Sequence, residues 1–434
     1  MGEQFKASPT EISGLGNYVL AVNDGVTQAV NLVKQHTAAT GEFKGLMDAL
    51  REPIDTLHAA TSTRLETLPP SLSGTSVSLK QTAWNYTTTE RTSALGFEHT
   101  KQQIIDKAPF APPFSPSSIS GTPENNDRFI RWDVVDDVPG AVAFRTPTPV
   151  DVIPPPSENV DWNALIEDTA GWLADADSAI ERLVRWSPLT AALNPLAGNW
   201  LELKRIGNTY GKAGTALGTS GDDLIWSSKE IDSYWDGAAA IAYTTYSTNM
   251  ANGLEWNAAA GRLIDTGLQI AAQGLEDAAR ATIELIKEGL SRLIKVDSWQ
   301  GVLKVAAKVI PYAGTAAAVG EVSALLTEVG KEIHQMIEAI TSTIDALKAF
   351  IEFCEDPIGS TSGQMDAAAQ RKIDEKLQPI NALVNEYNAA EANAEQKAQD
   401  VEDLLTAADI QALLNQPKTP FSVGTDNQPW EDAQ

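Results

Sequence analysis

The side chains that most often bind metals are few and scattered in this chain. The four histidines, His36, His58, His99 and His334, lie far apart, and none forms an HxxxH spacing. The one cysteine, Cys354, has no partner for a CxxC pair or an internal disulfide, and we interpret it as a small apolar side chain on a helix. Because a metal site needs several ligands at a fixed spacing, the sequence predicts none.

Motifs for nucleotide binding and for hydrolysis are absent from the sequence. Residues 207–214 read GNTYGKAG, which lacks the GxxxxGK[ST] spacing and falls inside a predicted helix rather than after a strand. We interpret these small residues as positions where two helices approach closely. With no GxSxG elbow and no Ser/His/Asp set, we expect no cofactor and no enzymatic activity.

Two short motifs are the most informative features of the sequence. In the stretch YTTTE, Tyr86 and Glu90 are four residues apart, which places them on one face of a helix. Trp235 and Gly237, separated by one aspartate, lie between two long helical patterns, where glycine permits a tight turn. A second Tyr-xxx-Glu pair, at Tyr387, is interpreted as an ordinary surface pair.

Composition sets limits on size, location and partners. A length of 434 residues suggests two or three domains, and the net charge of −26 would repel a phosphate backbone, so nucleic acid is not an expected partner. The first residues, MGEQFKASPTEISG, lack a basic segment followed by an apolar run, so no general secretory signal peptide is expected. No stretch reaches the roughly 18 apolar residues of a membrane-spanning helix.

Hydrophobic spacing predicts an all-α fold that begins with a helical hairpin in residues 1–107. Apolar residues recur at steps of three and four along one face of its first helix: Ile12, Leu15, Val19, Val22, Val26, Ala29 and Val33. A loop at 36–41 leads to a second helical stretch that ends near residue 95. Pro53 and the pair at 69–70 should kink or split that stretch, because proline removes a backbone donor.

A proline-rich segment separates this hairpin from a second one. Residues 108–157 contain 11 of the 23 prolines, which predicts an extended linker, although residues 128–138 are rich in β-forming residues and could form a short strand or dock on a neighbour. After a first helical segment at 162–186, residues 158–260 are expected to form the second hairpin, in which one helix runs from about 195 to 234, the Trp-Asp-Gly corner makes the bend, and the helical pattern restarts at Ala238. Together the two hairpins would pack as an elongated four-helix bundle.

The rest of the chain is predicted to be helical, with a loose end. Helical patterns at about 255–296, 299–309, 320–353 and 366–413 suggest an additional helical region over 261–413. Residues 414–434 show no periodicity and are expected to form a flexible tail.

The motifs and the helical layout resemble the ESX (type VII) secretion substrates of actinobacteria, a virulence-associated class, and in particular its PE–PPE and EspB-like fusions. Tyr86 and Glu90 match the Y-x-x-x-[D/E] export signal of the PE-like hairpin, with Glu in place of the commoner Asp. Trp235 and Gly237 match the W-x-G motif of the partner hairpin. The resemblance covers roughly residues 10–105 and 160–260.

This resemblance implies a secreted, non-enzymatic protein whose two motifs meet at one end of the bundle and form a composite patch for export. Tyrosine and tryptophan would supply the aromatic surface of that patch. The implied partners are the ATPase of the type VII machinery and a secretion chaperone. The alternative to a surface patch is that Trp235 only plugs the end of the bundle and Gly237 only ends a helix.

Other functions remain open from the sequence. Helices in 260–355 are rich in alanine, isoleucine and valine and could insert into membranes after export, as in a membrane-active or pore-forming effector. Long amphipathic helices could also assemble into a homo-oligomer with a structural role. An enzyme with an unrecognised site is the remaining alternative.

Overall fold

The computed structural model describes residues 6–99, 135–174 and 198–294, together with scattered positions between 177 and 196 and between 331 and 354. These residues are mostly helical, and within them no strand forms. The only β pairing among them is an isolated antiparallel bridge between Ala7 and Trp235. The prediction of an all-α fold is therefore confirmed for the part of the chain that is described.

Helix α1, Pro9–His36, begins the fold and carries the predicted apolar stripe. All seven residues of that stripe are buried. Proline occupies the first turn of α1, where its missing N–H would have no helical partner in any case. At the other end, the Thr37 N–H donates to the Val33 carbonyl at 3.2 Å and caps the last turn.

The second helical stretch is split into two helices, as its prolines predict. A 3-10 turn, Gly45–Leu50, leads into α2, Arg51–Leu65, and α3 follows over Leu68–His99. Pro53 lies in the first turn of α2, and Pro69 and Pro70 lie in the first turn of α3, so none of them removes an internal hydrogen bond. Helix α3 packs along α1.

The next described helix, α4, spans Trp162–Ala170. The Asp161 carboxylate accepts the Ala164 N–H at 3.0 Å and caps its N-terminus. Described positions at 173, 174, 177, 178 and 181 are helical again, but α4 ends at Ala170 and residues 171–172 form a turn, so the single helix predicted over 162–186 is interrupted there. Trp162 meets Trp200 edge to face, with ring centroids 5.2 Å apart.

Two long helices form the largest packed pair: α5, Trp200–Ile231, and α6, Ala238–Ile294. Glycines let them approach closely, as predicted for residues 207–214. A Cβ atom at Gly214 would lie 2.9 Å from the Ala258 carbonyl oxygen of α6. Helix α6 runs without a break from residue 238 to residue 294. The expected start of a new helix near residue 255 is therefore wrong. The expected domain boundary between residues 260 and 261 lies inside this helix.

The described part of the proline-rich segment is extended, as predicted, but it packs on the helices rather than only linking them. We call residues 136–153 the strap. Aromatic contacts attach the strap to two helices: the Phe144 ring lies 5.9 Å from the ring of Tyr18 in α1 and 6.2 Å from that of Trp226 in α5, between centroids. Val138 joins the apolar core, and the Val142 N–H donates to the Thr10 carbonyl at 3.0 Å.

Polar contacts hold the strap to three helices. The Asp137 carboxylate pairs with Lys80 of α3 at 2.9 Å and accepts a hydrogen bond from Asn17 of α1 at 2.7 Å. The Trp84 indole of α3 donates to the Asp136 carbonyl at 2.8 Å. Asp223 and Lys212 of α5 anchor the later half of the strap.

Every described position between 331 and 354 is helical, in agreement with the predicted helix at 320–353. Ile344, Leu347, Ile351 and Cys354 are buried there. The helices predicted at 299–309 and 366–413 and the tail at 414–434 lie outside the described residues. Across the described helices, none is both long enough and apolar enough to cross a bilayer.

Candidate functional site

The Trp-Asp-Gly corner joins α5 to α6. Helix α5 ends at Ile231, where the Tyr234 N–H donates to the Ile231 carbonyl at 2.8 Å, and α6 begins at Ala238. Gly237 has φ +99°, a conformation that residues with a Cβ rarely adopt. Glycine is therefore needed at this position, as the sequence predicts for a tight turn.

The structure brings the two sequence motifs together through their aromatic side chains. Trp235 Nε1 of the corner donates a hydrogen bond to the Tyr86 hydroxyl of α3 at 3.3 Å, across 149 residues of sequence. Tyr86 is half-buried against the apolar core. The turn of α3 that carries the first motif thus lies directly against the corner that carries the second.

Glu90 lies on α3 one helical turn beyond Tyr86. This spacing keeps it on the same face of the helix as Tyr86, as predicted. Its side chain lies outside the described residues.

The indole of Trp235 is enclosed rather than displayed. Its side chain is only 1% exposed, and its ring lies 6.0 Å from that of Tyr243 on α6, between centroids. The expectation that Trp235 supplies an aromatic surface is therefore wrong, because the indole fills space between α3 and α6. Burial also raises the pKa of the neighbouring Tyr243 hydroxyl.

The N-terminal residues complete the enclosure. Residues 6–8 run antiparallel to residues 234–236, with the Asp236 N–H donating to the Lys6 carbonyl at 2.8 Å and the Ser8 N–H donating to the Tyr234 carbonyl at 3.0 Å. Sequence reasoning missed this contact. The segment has no strand-like alternation and its partner is more than 200 residues away, so no local signal marks it.

Acidic side chains surround this end of the molecule. Asp232 and Asp236 are exposed on either side of Trp235. Burial, and then the nearby negative charge of Glu230, raise the pKa of the Glu11 carboxyl. Lys6 also lies at the corner, but the four carboxylates outnumber it, so the net charge beside the corner is negative at neutral pH and suits a basic partner better than an anionic one.

Histidines and acidic residues do not gather into a ligand set in the described residues, where no group of three or more could hold a metal ion. His58 Nδ1 and the Thr37 hydroxyl share a hydrogen bond of 2.8 Å, and His334 faces Glu338 at 3.3 Å on the same helix. These contacts are local ones between neighbouring turns or helices.

Comparison with known proteins identifies no relative. No protein-family model matches the chain, and neither a curated protein nor a solved structure matches it.

Proposed function

We propose that this protein is a substrate of a type VII (ESX) secretion system and that Tyr86, Glu90, Trp235 and Gly237 form its composite export signal. The observation that carries the proposal is the hydrogen bond from Trp235 to Tyr86, which joins two motifs 149 residues apart. Each motif is short enough to occur by chance. A direct contact between them is what a two-part signal requires and what two unrelated chance matches would rarely give.

The two hairpins, in this proposal, pack as one elongated four-helix bundle built from α1, α3, α5 and α6. Helix α1 packs against α3 and α5, and α5 packs against α6. The remaining pair, α3 and α6, is connected by the Thr75 hydroxyl, which donates to the Tyr246 hydroxyl at 2.8 Å. Such a bundle presents the two motifs at one end as a single rigid unit.

In this proposal the protein is exported by the type VII route rather than by the general secretory route. Outside the cell it has a non-enzymatic role. Its partners during export are the ATPase of the machinery and, as a further proposal, a secretion chaperone. The negative charge around the corner favours a basic receptor surface.

Export of matched variants from an actinobacterium with a type VII system tests the proposal. Trp235→Phe and Tyr86→Phe keep an aromatic ring but remove one side of the hydrogen bond, and Glu90→Gln removes only the charge. We expect each to lower the level in the culture filtrate while the cell-associated level stays the same. Circular dichroism of the purified variants checks that helical content is unchanged.

The chain provides its own control. Tyr387→Phe combined with Glu391→Gln makes the same chemical changes in a Tyr-xxx-Glu pair that the proposal does not assign to the signal. This double variant should be exported like the wild type. Normal export of Trp235→Phe, Tyr86→Phe and Glu90→Gln would refute the proposed signal.

A further inference from the structure

The N-terminal residues 6–8 form a two-stranded contact with the Trp-Asp-Gly corner. The two backbone hydrogen bonds, at 2.8 and 3.0 Å, flank the bridge between Ala7 and Trp235. In this arrangement Ala7 and Trp235 are a non-hydrogen-bonded pair, the type in which opposing side chains lie closest together. Ala7 is half-buried against the core beside the indole.

The side chain of Lys6 adds two contacts to the same corner. Its ammonium group donates to the Ser233 carbonyl and lies 5.2 Å from the centre of the Tyr234 ring. A cation at this distance from an aromatic face is attracted to it. Three successive corner residues, 233–235, are therefore each contacted by the N-terminal segment.

Helix α1 fixes the position of this segment. Ser8 is the N-cap residue of α1, so residues 6–8 lead directly into a helix with one face buried along its length. The Thr10 carbonyl accepts the Val142 N–H of the strap at 3.0 Å, which ties the same turn to a third part of the chain. The position of residues 6–8 at the corner is therefore fixed by α1 and by the strap.

We infer that residues 6–8 are a third component of the export signal, which hold the corner in the conformation that places Trp235 against Tyr86. This inference rests on the proposed function and deepens it. Without the segment, the Asp236 N–H and the Tyr234 carbonyl lose their partners. The corner, with its glycine at φ +99°, is then free to move and to withdraw the indole from α3.

A pair of substitutions at one position isolates this role. Ser8→Pro removes the N–H that donates to Tyr234, whereas Ser8→Ala keeps that N–H and removes only the hydroxyl, which shares a hydrogen bond with the Thr10 hydroxyl. Position 8 is the N-cap, with φ −104°, whereas proline holds φ near about −65°, so Ser8→Pro also shifts the backbone of residue 8. The two variants therefore differ in the bridge to the corner and in the backbone angle at residue 8.

Amide hydrogen exchange of the purified full-length chain measures the corner directly. We expect Ser8→Pro to speed exchange in residues 233–240 by roughly tenfold, the effect of one lost hydrogen bond, while Ser8→Ala leaves it unchanged. Unchanged exchange in the middle of α5 and α6 shows that the fold persists. Equal protection of 233–240 in Ser8→Pro and wild type would overturn the inference.

Export of the same variants separates failure of the inference from failure of the proposed function. We expect Ser8→Pro to be retained in the cell and Ser8→Ala to be exported. If Ser8→Pro opens the corner but is exported normally, while Trp235→Phe is retained, the third component is wrong and the signal stands. If Trp235→Phe, Tyr86→Phe and Glu90→Gln are all exported normally, the signal itself is wrong, and with it the export role of residues 6–8.

Discussion

Replacing Asp223 by alanine should detach the later half of the strap from α5. The carboxylate is buried, with its side chain 2% exposed, and it accepts three hydrogen bonds from the strap. They come from Arg145 Nη2 at 2.7 Å, from the Thr148 N–H at 2.7 Å and from the Thr148 hydroxyl at 3.1 Å. Asp223→Ala removes the acceptor of all three at once.

The expected cost follows from the burial of each partner. A hydrogen bond to a charged group contributes about 1.5–3 kcal/mol when it is sheltered from water. The Arg145 guanidinium is about half exposed, so solvent screens its share, and alanine also removes the cost of burying a carboxylate. These corrections leave a loss of about 2–4 kcal/mol in the docking of the strap.

Hydrogen exchange of residues 141–152 measures that loss locally, and urea unfolding measures its effect on the whole chain. A loss of at least 2 kcal/mol corresponds to exchange about 30-fold faster in the strap, because 1.4 kcal/mol is a factor of ten. Asp222→Ala is the matched control, since it makes the same change at the neighbouring, exposed position of α5 and should alter stability by about 0.5 kcal/mol or less. Equal exchange in the two variants would refute this account of the strap.

Two further predictions concern the first half of the strap. Gly14→Ala places a methyl group against the Val142 carbonyl of the strap and should destabilise the fold by about 1–3 kcal/mol. Gly74→Ala is the control, because a methyl group there meets open space and should be neutral or stabilising. Thermal melts compare the two variants. Burial would raise the pKa of the Asp137 carboxyl, but hydrogen bonds from Asn17 and Lys80 hold it below its usual 3.8. Its contribution to stability is thus complete at neutral pH and is lost as the pH falls below about 4, so the urea midpoints of wild type and Asp137→Asn should differ by a constant amount above that pH and converge only below it.

Helical periodicity carries most of what could be predicted of the fold. The apolar stripe of α1 is buried as expected because spacing of three and four fixes which face of a helix meets its neighbour. Prolines located the break between α2 and α3 for an equally local reason. Asn252 and Gly253, in contrast, locally favour an end to α6, yet the helix continues through them because Gly253 is buried in the packed structure, and tertiary packing outweighs the helix propensity of one residue.

The contacts that sequence reasoning missed all join distant parts of an irregular backbone. The strap was expected to be an extended linker, and proline content does predict its extended form. Its attachment depends on single carboxylates. Asp137 of the strap meets residues of α1 and α3 that lie 57 to 124 positions away in sequence, and Asp223 of α5 meets strap residues 75 to 78 positions away. Sequence reasoning allowed residues 128–138 to dock on a neighbour, and residues 136–138 do so. No periodicity records which residues they meet, so the partners could only come from the structure.

Burial of Trp235 changes how the corner would act in a composite signal. An indole that is 1% exposed offers almost no surface to a receptor, so its contribution must come from what it holds in place. Its one donor, Nε1, is used on Tyr86, which is half-buried and has Glu90 one turn further along α3. The proposed receptor would therefore contact the α3 face that carries Tyr86 and Glu90, and the corner would act by fixing that face. This division of roles explains why a tryptophan and a tight glycine turn, rather than any exposed aromatic residue, would be required at the corner.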